Sequence, residues 1–257
     1  MSEGRWSDLA ARAGSAVVMI GVGGACILAG GFWFQLLIAL SCGAMMWELV
    51  RMLDAKAQTV ALQLGVLTAA AQLAAWALPP IFLLPIALAP VPVGFSMLAK
   101  RRSAFLAFSL WIVVSGLAFV WLRDIRGFSW MAWLISVVVV TDIAGYFAGK
   151  IIGGPKFWPA ISPKKTWSGT SAGWIGAALV GALFAPQLGA GFSLIVLSIL
   201  ASMASQAGDV IESALKRRTG VKDSSNLIPG HGGFLDRFDG MMGAAAFVLL
   251  MSLIFNS

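Results

Sequence analysis

Long stretches without a charged side chain constrain what this chain can fold into more than any other feature. Residues 13–47 and 57–99 contain no Asp, Glu, Lys or Arg. A membrane-spanning helix needs about 20 apolar residues, so each stretch is long enough for two spans. Only 11% of all residues are charged, whereas a soluble domain carries about 25%. We therefore predict an all-α fold, as a polytopic membrane helical bundle.

Turn and charge signals divide the chain into about nine transmembrane helices, expected to form a single integral membrane domain over residues 1–257. Gly30-Gly31 and Pro79-Pro80 are expected to separate the spans of the two longest uncharged stretches. The first apolar segment is expected to be a retained helix. Charged residues mark a polar loop after the second span: Glu48, Arg51, Asp54 and Lys56. The five remaining spans are expected at 103–122, 128–149, 170–185, 191–207 and 240–255, with polar segments at 150–169 and 213–239.

The basic residues are distributed unevenly between the two sides that nine spans define. The loops after the second, fourth, sixth and eighth spans share a side with the N-terminus. All of the 18 basic residues except Arg123 and Arg126 fall on that side. The positive-inside rule makes it cytoplasmic. Topology thus explains the net charge of +7, and we expect the lipid bilayer, but no nucleic acid, as a partner.

Acidic residues near the ends of membrane spans are the first candidates for a functional site, because charges at membrane depth are costly. Four of them are expected at the cytoplasmic ends of helices: Asp142, Asp209, Asp236 and Asp239. Asp236 and Asp239 are three residues apart, which places both carboxylates on one helix face. A divalent cation such as Mg²⁺ would offset their repulsion. Helix capping and salt bridges to nearby lysines are the alternatives for these acids and for the Asp209–Glu212 pair.

Basic and glycine residues of the same segment suggest that phosphate groups bind there. The basic cluster consists of Lys216, Arg217, Arg218 and Lys222. Carboxylates for a cation beside cations for oxyanions form the inventory of a metal–phosphate site. Gly230, Gly232 and Gly233 would let the backbone approach a phosphate, and His231 could donate to one. The lysines of "SPKKTWSG", Lys164 and Lys165, are expected on the same side.

Motifs that the chain lacks further restrict the types of reaction it could catalyse. The chain has no Walker-type phosphate loop and no C-x-x-C, and it has one histidine. Its two cysteines lie inside apolar stretches and are expected to be core residues. Phosphoryl and nucleotidyl transfer fit this inventory, because positioning and charge neutralisation supply most of their catalysis.

The segment 213–239, which includes "PGHGGFLDRFDG", resembles the phosphatidate cytidylyltransferase (CDP-diacylglycerol synthase) family. The family pattern runs S-x-x-K-R, four residues, K-D, then P-x-H-G-G-x-x-D-R-x-D. Every fixed position is filled: Ser213, Lys216, Arg217, Lys222, Asp223, Pro229, His231, Gly232, Gly233, Asp236, Arg237 and Asp239. "SQAGDVIES" and "SPKKTW" are similar to two further family segments. The chain departs from the family at Ile143, where a threonine is common, and at Ser168, where Glu or Gln is common.

The resemblance implies that CTP and phosphatidate react to CDP-diacylglycerol and pyrophosphate, with Mg²⁺ and often a second cation. The lipid phosphate would attack the α-phosphorus of CTP at the cytoplasmic face of a bacterial inner membrane. The site would lie within about residues 142–240. The possibility of a homodimer is left open.

The resemblance also implies roles for individual residues. The implied metal ligands are Asp209, Asp236 and Asp239, with Asp142 as a further candidate. These three aspartates are grouped as catalytic with Lys216 and Lys222. The residues implied to bind substrate phosphates are Ser213, Arg217, His231, Arg237, Lys164 and Lys165.

Two other functions use acidic residues in a membrane. "DRFDG" is similar to the opening of the CDP-alcohol phosphotransferase motif, but no Arg or Asp follows Gly240. An ion-coupled transporter with Asp142 and Asp209 as ion sites is the non-enzymatic alternative. The absence of an evident inverted repeat argues against it.

Overall fold

The computed structural model describes the backbone of residues 3–255 and the side chains of residues 12–255. The helices are α1 (Glu3–Ala29), α2 (Gly31–Leu53), α3 (Gln58–Ala77), α4 (Leu83–Leu88), α5 (Pro90–Met97), α6 (Arg102–Val120), α7 (Phe128–Ile151), α8 (Trp167–Leu188), α9 (Gly191–Thr219) and α10 (Leu235–Phe255). Two short strands, β1 (Lys156–Trp158) and β2 (Ser162–Thr166), form an antiparallel hairpin.

Within this part of the chain, nine helical segments are long and apolar enough to cross a membrane. The all-α membrane fold is therefore confirmed, and the protein is an integral membrane protein. The predicted turn at Gly30 is present, with a φ of 65° that favours glycine. The split at Pro79-Pro80 is also confirmed, because α3 ends at Ala77 and a 3₁₀ turn covers Pro80–Phe82.

Several boundaries differ from those predicted. Glu48 and Arg51 lie inside α2, so their assignment to a loop was wrong. The fourth span is broken into α4 and α5 by its prolines, and the fifth continues beyond α6 as a π-helical turn over Trp121–Arg126. The polar segment after α7 contains the hairpin. α9 runs on to Thr219 and α10 begins at Leu235, so the polar segment predicted at 213–239 is helical at both ends.

The chain forms two compact units, each assembled from two separate stretches. The first unit combines the chain up to Val120 with Arg218–Phe238. Its core is built where α2 packs against α3 and α6, around buried residues such as Phe34, Met46 and Phe105.

The second unit combines Trp121–Arg217 with the chain from Asp239 onward. Hydrogen bonds link α7 to α9 in its interior. The indole of Trp133 donates to Ser198 Oγ at 2.8 Å, and the hydroxyl of Thr141 donates to Ser202 Oγ at 2.8 Å. Such bonds provide partners for polar groups that would otherwise lack a hydrogen bond in an apolar interior. They fix α7 and α9 in register near the polar residues described next.

Candidate functional site

A cavity of about 330 Å³ in the second unit has a cationic wall. Lys150 is in the last turn of α7, whereas Lys164 and Lys165 are on β2. All three line the cavity together with Asp142, Tyr146 and Gln206. The hairpin, which the sequence did not reveal, thus places both lysines of "SPKK" in the cavity wall. Lysine ammonium groups form strong charge-assisted hydrogen bonds with carboxylate and phosphate oxygens.

Asp209 is the centre of the acidic residues in the same unit. Lys165 Nζ lies 2.5 Å from Asp209 Oδ2, and the hydroxyl of Ser213 donates to Asp209 Oδ1 at 3.3 Å. Asp142 and Asp239 both repel Asp209 electrostatically. Three carboxylates predicted to act together, from three different helices, thus influence one another within this unit.

The second acidic residue of the Asp209–Glu212 pair has a different role. Glu212 is completely buried, and Lys216 Nζ lies 2.5 Å from its Oε2 within α9. A buried charge is costly unless it is paired, and Lys216 supplies the partner. The salt-bridge alternative from the sequence therefore holds for Glu212. It also describes Asp209, whose lysine partner comes from the hairpin.

The carboxylate oxygens at this site can hold a divalent cation only if the substrate supplies further ligands. Among residues 12–255, no three acidic, histidine or cysteine side chains come close enough to hold an ion by themselves. Mg²⁺ is commonly held by one or two carboxylates together with substrate phosphates and water. The oxygens of Asp209 and Asp239 are ligands of the right kind, and the lysine wall is suited to the phosphates that would supply the others.

Arg217 lies on α9 in the second unit, whereas the other predicted residues, Lys222, His231, Asp236 and Arg237, belong to the first unit. They lie on the loop over residues 220–234, which we call the motif loop, and on the start of α10. His231 Nδ1 lies 2.8 Å from the hydroxyl of Ser15, and Arg237 Nε donates to the carbonyl of His231 at 2.8 Å. Lys222 is exposed on the motif loop. These bonds fold the loop back onto the start of α10 and onto α1.

Asp236 is a central hydrogen-bond acceptor of the motif loop. Its Oδ2 accepts from the backbone N–H of Ser224 at 2.8 Å, from the Ser224 hydroxyl at 2.9 Å and from the N–H of Gly233 at 2.8 Å. The sequence predicted that Gly233 approaches a phosphate, but its amide donates to a carboxylate of the protein. The proposed convergence of Asp236 with Asp209 and Asp239 on a cation stays a prediction.

One buried acidic residue, Glu48, was not predicted from the sequence to belong to a site. Glu48 of α2 is completely buried, and its carboxylate accepts hydrogen bonds from Ser224 and Ser225 of the motif loop. Its position one residue after 35 uncharged residues suggested the end of a span. The available signal was the distant motif-loop sequence "KDSSN" at residues 222–226, whose two hydroxyls need acceptors if the loop is buried.

Comparison with known proteins matches residues 10–255 to the cytidylyltransferase family. The chain belongs to this family. The family match thus includes both units and every predicted site residue. It also confirms the resemblance that the motif at 213–239 indicated.

Three curated relatives in the family carry the name phosphatidate cytidylyltransferase. The protein of Brucella suis biovar 1 is 49% identical over 131 residues, which cover 50% of this chain and 48% of the relative. That of Staphylococcus saprophyticus is 39% identical over 165 residues, covering 61% and 64%. That of Bacillus subtilis is 37% identical over 149 residues, covering 55% of each. The chain therefore matches between about half and just under two thirds of the length of these relatives.

Proposed function

We propose that the protein is a phosphatidate cytidylyltransferase, which transfers the cytidylyl group of CTP to phosphatidate and releases pyrophosphate. The observation that carries this proposal is the cavity in which Lys150, Lys164 and Lys165 face Asp142 beside Asp209. Family membership and the names of the relatives support it. They favour it over a CDP-alcohol phosphotransferase and over a transporter.

The main obstacle of this reaction is the electrostatic repulsion between two highly charged anions. The positive charges of the lysines would reduce this repulsion. Lys164 and Lys165 would bind phosphate oxygens and hold the lipid phosphate near the α-phosphorus of CTP. Such positioning lowers the barrier without a protein nucleophile, because the phosphatidate oxygen is already anionic at neutral pH. Ser213, Lys216, Lys222, Arg217, His231 and Arg237 are proposed as further residues that contact the substrates.

Asp209 and Asp239 would hold the Mg²⁺ ion, with Asp142 and Asp236 as further ligands and a second cation included in the proposal. The ion would neutralise charge that builds up on the phosphates. The cytoplasmic face of a bacterial inner membrane is the proposed location, because CTP is dissolved in the cytosol and the lipid lies in the bilayer. The positive-inside distribution supports this orientation.

The test measures pyrophosphate release by the purified protein in liposomes that contain phosphatidate. We expect release only when CTP, phosphatidate and Mg²⁺ are all present. Asp239→Asn should lower kcat by at least about 10²-fold, as expected when a charged group that stabilises the transition state is removed.

Asp54→Asn provides the matched control, because Asp54 accepts a hydrogen bond from the backbone of Lys56 in a loop outside the site. It should retain wild-type turnover. Wild-type protein without CTP-dependent release would refute the proposed function, and an active Asp239→Asn protein would refute the role of Asp239.

A further inference from the structure

Glu48 binds the motif loop through four hydrogen bonds although it belongs to a membrane-spanning helix. Its Oε1 accepts from the hydroxyl of Ser225 at 2.6 Å and from the backbone N–H of Phe234 at 2.9 Å. Its Oε2 accepts from the N–H of Leu235 at 2.7 Å and, at 3.2 Å, shares the one hydroxyl proton of Ser224 with Asp236. Both oxygens are thus used, and every donor comes from the motif loop or the start of α10.

Two of these donors belong to the beginning of a helix. The first N–H groups of an α-helix have no partner within the helix, and the helix dipole favours an anion there. Phe234 and Leu235 lie at this point of α10, so Glu48 caps α10 from a different helix. A side chain from another element in this position determines where α10 begins relative to α2.

Asp236 binds the same part of the motif loop as Glu48. The hydroxyl of Ser224 lies between two carboxylates, 3.2 Å from Glu48 and 2.9 Å from Asp236. Gly233 has no Cβ, and a Cβ there would collide with Ser224 Oγ and Glu48 Oε1. The two carboxylates, the Ser224 hydroxyl and Gly233 are therefore packed in direct contact.

The cost of this arrangement argues against a role in packing alone. A charged carboxylate that is fully buried in a membrane helix is expensive, and an apolar residue of similar size would often stabilise the fold as well or better. All of the hydrogen bonds of Glu48 described above go to the motif loop and the start of α10. The motif loop carries Lys222 and His231 and leads into Asp236 and Arg237.

We propose that Glu48 is a positioning residue, which fixes the motif loop and the start of α10 so that their charged side chains meet the substrate phosphates. The role deepens the proposed cytidylyltransferase function and rests on it. Glu48 itself contacts neither substrate nor cation in this proposal.

The experiment compares Glu48→Gln, Glu48→Asp and Ser225→Ala with wild type. Glutamine has the shape of glutamate but keeps one acceptor oxygen, and its NH₂ group would face N–H or O–H donors. Aspartate keeps both oxygens, and Ser225→Ala removes one donor of four. Ser41→Ala is the control, because Ser41 is buried in the same helix and its hydroxyl donates to the carbonyl of Leu37 within that helix.

Two readouts are taken on the monodisperse fraction of each protein in detergent. The first is kcat and KM for CTP, measured well below the melting temperature. The second is the rate of tryptic cleavage after Lys222, which reports on the motif loop without any substrate. We expect Glu48→Gln to lower kcat/KM by about 10²-fold and to speed up cleavage. Ser225→Ala and Glu48→Asp should show smaller changes in the same direction, and Ser41→Ala should show none.

A purely structural role would lower the melting temperature but leave kcat and KM of the folded fraction unchanged. Folded Glu48→Gln protein with wild-type kcat and KM, or with wild-type cleavage, would therefore overturn the proposal. If Glu48→Gln does not fold, the same criteria apply to Ser225→Ala. Wild-type protein without activity would refute the proposed function instead, and the cleavage rates would still decide whether Glu48 holds the loop.

Discussion

Gly233 illustrates how one missing methyl group determines the course of the motif loop. Its N–H donates to Asp236, and the space where its Cβ would lie is taken by Ser224 Oγ and a carboxylate oxygen of Glu48. The sequence explained the glycine by a close approach to phosphate. The structure gives a second reason, which is the close approach of two side chains that fix the loop.

We expect Gly233→Ala to destabilise the protein by about 1–3 kcal/mol, the usual cost of forcing an extra carbon into a packed site. The added carbon would push Glu48 away from the motif loop, so tryptic cleavage after Lys222 should become faster. Gly24→Ala is the matched control, since a Cβ at Gly24 would meet nothing within 4 Å. Equal melting temperatures for the two variants would contradict this account.

At the scale of elements, α7 and α8 approach each other through glycines beside the lysine-lined cavity. A Cβ built on Gly169 would lie 2.5 Å from the carbonyl oxygen of Gly145, whereas one built on Gly145 would lie 3.3 Å from that of Gly169. Thr166 Oγ1 caps α8 by accepting from the N–H of Gly169 at 3.2 Å. Small residues at helix crossings allow such close backbone contact in membranes.

These distances predict an asymmetric response at one crossing. Gly169→Ala should lower the melting temperature and the activity clearly more than Gly145→Ala, because its Cβ would lie 2.5 Å from a backbone oxygen that cannot easily move aside, whereas the Cβ at residue 145 would lie 3.3 Å from one. Thermal unfolding in detergent and pyrophosphate release measure the two effects. A larger effect of Gly145→Ala would show that contacts other than this crossing control the spacing of α7 and α8.

Elements whose signal is local could be predicted from the sequence. The turn at Gly30, the break at Pro79-Pro80 and the span count follow from glycine, proline and uncharged length alone. The hairpin at 156–166 could not be predicted, because "KFW" and "SPKKT" are too short and too charged to show a strand pattern. The helical extension of α9 was hidden by its charges, which suggested a loop.

Prediction of the site residues was limited for the same reason, because only signals that are local in sequence can be recognised. Asp236 and Asp239 became candidates through the motif at 213–239, and Asp209 through its position near a span end and in "SQAGDVIES" just before that motif. Glu48 lies more than 170 residues before its partners, as its bonds to Ser224 and Leu235 show. Only tertiary structure brings these residues together, so a motif search over short windows has no means of finding the contact.

At the scale of the whole molecule, charge is segregated along the chain by the alternation of the spans. The π-helical turn after α6 carries Arg123 and Arg126, and the guanidinium of Arg126 lies over the rings of Trp121 and Trp130. Aromatic residues with basic neighbours are typical of a membrane–water boundary. The two arginines that depart from the positive-inside pattern thus lie in the kind of environment that accommodates them.

The proposed orientation predicts which residues a membrane-impermeant thiol reagent can reach. In a background with Cys26→Ala and Cys42→Ala, Ser129→Cys should be labelled in intact spheroplasts, because Ser129 is exposed just after the π-helical turn. Asn226→Cys, on the exposed motif loop, should be labelled only after permeabilisation. The opposite pattern would place the motif loop outside the cell, where it could not meet cytosolic CTP, and would overturn both the orientation and the proposed reaction.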